Sequence, residues 1–236
     1  MEQKDLFDIV FGKIKKISSP VILILLMLVW QAIGVVILRI FGISYDKLSD
    51  ILKVIYLFIF DILFLTLLGY VYRKDLIVEF KRFFNRDFFK NIRLSFRYWF
   101  SGLVIMVISN YIIAIITNGT LAGNEEAVRG LIDKFPIYMA FQVMLYAPLT
   151  EEIIFRKSIG KVINNKLLFV IISGLVFGGL HVISSVSSLI DLVYLVPYCS
   201  LGFIFALLYS KTNNIFSTVI VHSFHNTLAF LLYLIG

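Results

Sequence analysis

The feature that most constrains this chain is a series of stretches, each about 20 residues long, that carry almost no charge. An α-helix needs this length to cross the hydrocarbon core of a bilayer. Seven such stretches occur: Pro20–Leu38, Val54–Tyr72, Tyr98–Ile116, Phe135–Phe155, Leu167–Ile190, Leu192–Ser210 and Ile215–Gly236. A span in lipid must satisfy its own backbone hydrogen bonds. We therefore predict an all-α polytopic transmembrane helical bundle with seven spans, or eight if one more lies at an end.

The composition indicates the same class of protein. Apolar residues make up 60% of the 236 residues and charged residues 16%, whereas soluble proteins average about 45–50% and about 25%. These values exclude a disordered chain and an ordinary soluble globular protein. Cys199 is the only cysteine, so a disulfide scaffold within the chain is excluded as well.

The first 19 residues differ from the rest of the sequence. Phe7, Phe11 and Ile14 recur at helical spacing beside several lysines, which predicts an interfacial amphipathic helix over residues 1–19. No small-residue cleavage site of a signal peptide is present, so we expect the first span to stay in the mature protein. Residues 20–236 are predicted to form a single transmembrane domain.

Basic residues are concentrated in alternate loops. They precede the first span, fill the stretch Arg73–Arg97 between the second and third spans, and follow the fourth and sixth spans. Basic loops stay on the cytoplasmic side, so we predict a multi-pass membrane protein with a defined orientation. The chain is short and rich in Lys, Ile and Phe, so the expected location is a bacterial inner or plasma membrane. Its N-terminus is then cytoplasmic, and its C-terminus and the loop Asn118–Lys134 are external.

The stretch Arg73–Arg97 has Phe and Tyr between its basic residues, a pattern that also occurs in nucleic-acid-binding patches. We interpret it instead as a loop that lies on anionic lipid headgroups. The predicted partner of this surface is therefore the lipid bilayer, and no nucleic acid is expected.

Ionisable residues inside a span cost about 2.5–3.5 kcal/mol each, so their presence needs a reason. Glu151, Glu152 and Arg156 lie at the end of the fourth span, just after Pro148, which predicts a break in the helix. Adjacent residues diverge by about 100° on a helix, so the two carboxylates cannot share a face. Glu152 and Arg156 have the spacing of an ion pair. Glu151 is then left without a cation and is free to accept a proton.

Two further polar groups lie on later spans. Phe177 and His181 are four residues apart and share a helix face, as do His222 and Asn226, with His225 beside them. Two imidazoles and an amide in an apolar helix are hard to explain by packing alone, so we interpret them as part of a functional site.

Together these residues suit the activation of water. Glu151 would take a proton from water with the help of His181, while His222 and Asn226 would donate hydrogen bonds to a developing oxyanion. Glu151, His181 and His222 would equally serve as a zinc triad with an open position, although the HExxH spacing of common zinc proteases is absent. The residues themselves leave both chemistries open.

Three motifs on separate spans therefore occur in order within residues 148–226: Glu151-Glu152-xxx-Arg156, Phe177-xxx-His181 and His222-xxx-Asn226. This ordered set resembles the motifs of the CAAX-protease and bacteriocin-processing family, also called the Abi family, which includes the type II CAAX prenyl proteases. The resemblance implies a multi-pass α-helical bundle and intramembrane proteolysis of membrane-attached substrates. It also implies that Glu151 and His181 activate water, that His222 and Asn226 stabilise the oxyanion, and that the Glu152–Arg156 pair supports the site.

We therefore predict an intramembrane endopeptidase that acts on a membrane-associated peptide or protein. The alternatives are a non-catalytic membrane protein, as in bacteriocin immunity or sensor-kinase control, and a transporter. We favour a site without a cofactor, because no acidic residue nearby in the sequence is placed to orient both imidazoles on a metal. Zinc held by Glu151, His181 and His222 is the alternative.

Two expectations concern the shape of the site. We expect the fourth span to extend to about Lys161, since Glu151 must otherwise lie too close to the membrane edge to meet His181. We also expect a water-filled cavity that is accessible from the cytoplasm. Asp61 in the second span is a further buried ionisable residue, and the sequence suggests no role for it beyond a polar partner.

Overall fold

The computed structural model describes the backbone of residues 5–236 and the side chains of residues 19–236. Within these residues the chain forms helices and no β-strand. The long α-helices are α1 (Asp5–Ile40), α2 (Asp50–Phe83), α3 (Phe88–Ile116), α4 (Gly123–Lys134), α7 (Lys166–Val182), α8 (Leu195–Thr212) and α9 (Ile215–Ile235). Between α4 and α7 lie α5 (Pro136–Phe141), a π-helical segment π1 (Gln142–Tyr146), α6 (Ala147–Glu151) and a second π-helical segment π2 (Glu152–Ser158). The all-α prediction is confirmed.

Six helices of the described residues are long and apolar enough to cross a membrane. They are Ser19–Ile40, Asp50–Phe83, Phe88–Ile116, Lys166–Ser185, Leu189–Thr212 and Ile215–Ile235. The remaining predicted span, Phe135–Phe155, corresponds to α5, π1, α6 and π2. These four pieces follow one another without a break over residues 136–160 and are called the composite helix below. The expected extension of this span towards Lys161 is therefore observed.

The basic stretch Arg73–Arg97 is not a loop, contrary to the sequence-based expectation. Helix α2 continues to Phe83 and α3 begins at Phe88, so only residues 84–87 separate the two helices. Lysine and arginine are good helix formers, and a helix that leaves the apolar part of a span can continue through them. Hydropathy marks where the apolar part ends, and the helix itself ends later.

The N-terminal prediction lies outside the described side chains. The backbone of α1 begins at Asp5 and includes Pro20, but the side chains of residues 1–18 are not among those described. The interfacial amphipathic helix over residues 1–19 thus stays a prediction.

Close packing of α7 against α8 holds one wall of the site. A Cβ atom added to Gly174 would lie 2.1 Å from the ring of Phe203, and one added to Gly178 would lie 2.4 Å from Sγ and 2.7 Å from the backbone nitrogen of Cys199. The absence of side chains at these two glycines lets the helices approach closely, as in other membrane helix pairs. The position of His181, one turn beyond Gly178, follows from this contact.

A buried polar network fixes α2, the composite helix and α9 relative to one another. The carboxylate of Glu79 accepts the backbone N–H of Ile215 at 2.6 Å and is paired with Lys157. The amide of Asn214 donates to the backbone carbonyl of Glu79 at 2.8 Å and its side-chain oxygen accepts the N–H of Phe216. Because Glu79 satisfies an N–H at the start of α9, the helix that carries His222 begins at a defined place.

Candidate active site

A cavity of about 590 Å³ lies between the composite helix, α3, α4, α7, α8 and α9. Its walls include Glu151, His181 and His222, together with His225 and Asn226. Residues from all three sequence motifs therefore line one space. The carboxylate and the imidazoles come from three different helices, so their convergence is a property of the fold.

Glu151 lies between the two imidazoles. Its Oε2 atom is 3.9 Å from Nε2 of His181 and 3.8 Å from Nε2 of His222. This oxygen is buried and has no hydrogen-bond partner. Both separations are too long for a direct hydrogen bond, and they suit a water molecule held by the carboxylate and the rings together. An unpaired carboxylate oxygen of this kind can accept a proton from such a water.

The ring of His181 is oriented by its own helix. Its Nδ1 atom lies 2.8 Å from the backbone carbonyl of Phe177, one turn earlier, and a carbonyl only accepts, so Nδ1 carries the hydrogen. In the neutral ring Nε2 is then the free acceptor and faces Glu151. Tyr198 of α8 stacks on the ring with centroids 5.1 Å apart. The imidazole is thereby held in one tautomer and one orientation.

Glu152 joins His222 to Arg156 on the side away from the cavity. Oε1 of Glu152 accepts from Nδ1 of His222 at 2.9 Å, and Oε2 lies 3.1 Å from Nε of Arg156. The side chains of Glu152 and Arg156 are completely buried. The expected ion pair of Glu152 and Arg156 is present, but it is not the only contact of that carboxylate. Glu152 also fixes the ring of His222, which leaves Nε2 of that ring for Glu151.

Arg156 has further contacts that explain how a guanidinium is tolerated here. One of its Nη atoms donates to Oγ of Ser173 at 2.8 Å, and this hydroxyl donates to the carbonyl of Phe155, also at 2.8 Å. The guanidinium lies over the ring of Phe177, 4.9 Å from its centroid. The same ring is 4.5 Å from that of His181 and 5.8 Å from that of His222, centroid to centroid. Phe177 therefore separates the buried cation from the imidazoles.

Asn226 and His225 line the cavity, but their hydrogen bonds are to groups other than Glu151, His181 and His222. Nδ2 of Asn226 donates to the backbone carbonyl of Val143 at 3.0 Å. Nε1 of Trp99 donates to Nδ1 of His225 at 3.4 Å. The structure thus brings Glu151, His181 and His222 into one group and leaves Asn226 and His225 on the cavity wall.

Asp61 forms a second buried polar cluster. It is completely buried and accepts hydrogen bonds from Gln31 at 2.8 Å, from Tyr138 at 2.8 Å and from Gln142. Gln31 belongs to α1, while Tyr138 and Gln142 belong to the composite helix. The expected polar partners of Asp61 therefore exist, and through them α1 and α2 are attached to the helix that carries Glu151.

The cavity reaches the surface beside α4. Glu125 and Arg129 form an ion pair at 2.9 Å with half-exposed side chains, and both residues line the cavity. No described residue of the basic stretch 73–97 lines it. The charge pattern predicts that α4 is external, so the predicted topology and the expected cytoplasmic access of the cavity are mutually exclusive. If the topology is kept, the cavity opens externally.

The donor atoms suit zinc in type. Nε2 of His181, Nε2 of His222 and Oε2 of Glu151 face one another, and each imidazole is oriented through its Nδ1, as zinc-bound histidines commonly are. Glu152 orients the ring of His222, whereas the ring of His181 is oriented by a backbone carbonyl, so one acidic residue orients one of the two imidazoles. The separations of 3.8 and 3.9 Å exceed the roughly 3.4 Å expected between two donors on a tetrahedral zinc. A small closure would be needed to hold the ion.

Comparison with known proteins agrees with this site. Residues 133–228 match the family model described as type II CAAX prenyl endopeptidase Rce1-like. The chain is 29% identical over 153 residues to UPF0177 protein YxdF of Lactococcus lactis subsp. lactis, covering 62% of this chain and 82% of that protein. It is 33% identical over 112 residues to "Putative membrane peptidase YdiL" of Bacillus subtilis, covering 46% of this chain and 42% of that protein. No solved structure is significantly similar to the chain.

A third relative is an uncharacterized protein of Mycoplasma capricolum, 33% identical over 121 residues. The match covers 47% of this chain and 34% of that protein. The chain thus matches less than half the length of the Bacillus and Mycoplasma relatives.

The fold and the cavity define a polytopic α-helical membrane protein whose buried carboxylate lies between two imidazoles. The segment that carries this site, residues 133–228, is similar to the Rce1-like type II CAAX prenyl endopeptidases, whose family model it matches. The resemblance predicted from the three ordered motifs is thereby confirmed, and the family is one of membrane peptidases.

Proposed function

We propose that the protein is an intramembrane endopeptidase that hydrolyses a peptide bond of a membrane-associated peptide or protein. The observation that carries this proposal is the unpaired Oε2 atom of Glu151, buried 3.8–3.9 Å from the Nε2 atoms of two imidazoles. A buried carboxylate oxygen without a partner destabilises the fold. Its presence at the wall of a cavity therefore favours a chemical role over a packing role.

The reaction follows from the positions of these atoms. Glu151 takes a proton from a water molecule, oriented by Nε2 of His181, and the resulting hydroxide attacks the scissile carbonyl carbon. The carbonyl oxygen becomes the oxyanion of a tetrahedral intermediate. The proton on Glu151 passes to the leaving amine as the C–N bond breaks, which restores the carboxylate. Every proton is accounted for by one acid–base group.

Stabilisation of the oxyanion is assigned to α9. His222 would donate to the oxyanion from a protonated Nε2 while its Nδ1 remains bonded to Glu152. The second N–H of the Asn226 amide supplies another donor. Donors fixed in place before the reaction are most effective because they need no reorganisation, and one such donor contributes about 2.7–4 kcal/mol to lowering the barrier.

Zinc would be held by Glu151, His181 and His222, where it would polarise the scissile carbonyl and activate water. We favour the glutamate mechanism, because the donor atoms are spaced more widely than a bound zinc requires and Glu151 alone can transfer the proton. In that mechanism Glu152, Arg156 and Phe177 maintain the orientation of the groups that react.

We further propose that the N-terminus is cytoplasmic and the C-terminus external, as the distribution of basic residues indicates. The basic residues of Arg73–Arg97 then lie on the cytoplasmic side, and α4 and the entrance to the cavity lie on the external side.

The purified protein in detergent, incubated with a library of fluorogenic peptides, tests the proposed activity. We expect cleavage by the wild type and none above background by Glu151→Gln, which keeps the shape of the side chain but removes the base. Glu126→Gln is the matched control, because Glu126 is exposed on α4 and is expected to leave cleavage unchanged. A folded wild type that cleaves no peptide, or equal cleavage by Glu151→Gln, would support a non-catalytic binding protein instead.

A further inference from the structure

Pro148 interrupts the hydrogen bonds of the composite helix one turn before Glu151. In π1 the backbone N–H of Ala147 bonds to the carbonyl of Gln142, five residues earlier. The next bond in this register would run from residue 148 to the carbonyl of Val143. Proline has no N–H, so the carbonyl of Val143 is left without its backbone donor.

The side chain of Asn226 fills this gap from another helix. Its Nδ2 atom donates to the carbonyl of Val143 at 3.0 Å, across 83 residues of sequence. Pro148 is itself buried and cannot donate to this carbonyl, so the Asn226 amide satisfies an acceptor that the helix leaves open. The side-chain amide of Asn226 therefore supplies the hydrogen-bond donor that the backbone lacks at Pro148.

The bond also determines where the rest of the Asn226 side chain points. A primary amide has two N–H donors, and one of them is used by Val143. The amide plane is thereby fixed at the wall of the cavity, one turn beyond His222. The second N–H is left for a group in the cavity.

We infer that Pro148 is a positioning residue for Asn226. By withholding its backbone N–H, Pro148 leaves the carbonyl of Val143 to the Asn226 amide, and this bond fixes the amide at the cavity wall. The catalytic part of this inference rests on the proposed function, because it assigns the second N–H to the oxyanion. The structural part does not, since it concerns only the competition of two donors for one carbonyl.

Pro148→Ala tests the inference, because this substitution restores the missing N–H and alanine is a better helix former than proline. We expect Pro148→Ala to keep or raise Tm, whereas it lowers kcat by about 10- to 100-fold through misplacement of the amide, with little change in KM. Pro20→Ala removes another proline from a helix interior, at a position that does not line the cavity, and is expected to leave kcat unchanged.

A double-mutant cycle on stability isolates the structural part. In the wild type, Asn226→Ala removes the side-chain donor to the carbonyl of Val143 and is expected to lower Tm by about 2–4 °C. In the Pro148→Ala background the backbone N–H already bonds to that carbonyl, so the same substitution should lower Tm by clearly less. The kinetic cycle should likewise show that Asn226→Ala costs less in kcat in the Pro148→Ala background.

Different results would contradict the structural part of the inference and the proposed function on which its catalytic part rests. A Tm loss for Asn226→Ala that is the same in both backgrounds would overturn the inference, whether or not any peptide is cleaved. So would a Pro148→Ala protein that cleaves peptide at the wild-type kcat. A wild type that cleaves nothing would refute the proposed function, and the stability cycle would still decide whether Pro148 positions Asn226.

Discussion

Nδ1 of His222 donates to Oε1 of Glu152 at 2.9 Å, while Nε2 of the same ring faces Oε2 of Glu151 at 3.8 Å. One imidazole thus contacts both members of an adjacent acidic pair, through opposite nitrogens. This arrangement separates the two carboxylates by role. Glu152 is completely buried against Arg156, and Glu151 is at the wall of the cavity.

This separation predicts different effects on stability. Glu152→Ala removes the partner of a buried guanidinium and of an imidazole, and we expect a loss of about 3–5 kcal/mol in the free energy of unfolding. Glu151→Gln removes a charged oxygen that has no partner and should therefore keep or raise stability. Thermal and denaturant unfolding of both variants in the same detergent measures this. Equal losses would contradict the assigned roles.

The contact of α7 with α8 predicts that Gly178 does not tolerate a side chain. Its added Cβ would meet the backbone nitrogen of Cys199 at 2.7 Å, and backbone cannot move aside as a flexible side chain can. We expect Gly178→Ala to cost about 1–3 kcal/mol of stability. Gly69→Ala is the matched control, because Gly69 is also in a helix and nothing lies within 4 Å of its added Cβ. A Gly178→Ala protein as stable as that control would show that the helices are farther apart than described.

The hydrogen bonds of Asp61 predict that its loss weakens the attachment of α1 and α2 to the composite helix. Asp61→Ala leaves the donors of Gln31, Tyr138 and Gln142 without their acceptor, and a buried unsatisfied donor costs about 1–3 kcal/mol. We expect a large loss of thermal stability, compared with almost none for Asp46→Asn at an exposed position. Similar melting temperatures for the two variants would mean that the cluster does not hold α1 and α2 to the composite helix.

The charge distribution predicts the orientation of the protein in the membrane. In a Cys199→Ser background, a cysteine at Glu126 should react with a membrane-impermeant maleimide added to intact cells, and a cysteine at Lys90 should react only after lysis. Both positions are exposed in the structure. Labelling in the reverse pattern would invert the topology and would place the entrance of the cavity on the cytoplasmic side.

The motif residues could be found from the sequence because each is polar in a stretch where polarity is costly. Glu151, His181 and His222 stand out for this reason, and their spacing places each on a definable helix face. The pairing of Glu152 with Arg156 was visible as i,i+4 spacing. Its second contact, with His222, depends on how α9 lies against the composite helix, which no local pattern encodes.

Other parts of the site carry no signal in the sequence. The carbonyl of Val143 belongs to the backbone, and the π-helical segments on both sides of α6 have no side-chain pattern that predicts them. Tyr198 and Ser173 are ordinary residues of apolar spans, because a hydroxyl costs little to bury when it finds a partner. Glu79 resembles a charge at the end of a span until its contact with the start of α9 is known.

The central claim is that Glu151 activates water without a metal, and cleavage by metal-free protein tests it most directly. Zinc is quantified by elemental analysis after exhaustive chelation, and the same sample is assayed on a peptide that the wild type cleaves. The account predicts an undiminished rate in wild-type protein shown to hold no zinc, and no cleavage by Glu151→Gln. Stoichiometric zinc in the active protein, with activity that disappears on its removal and returns on its addition, would contradict the claim.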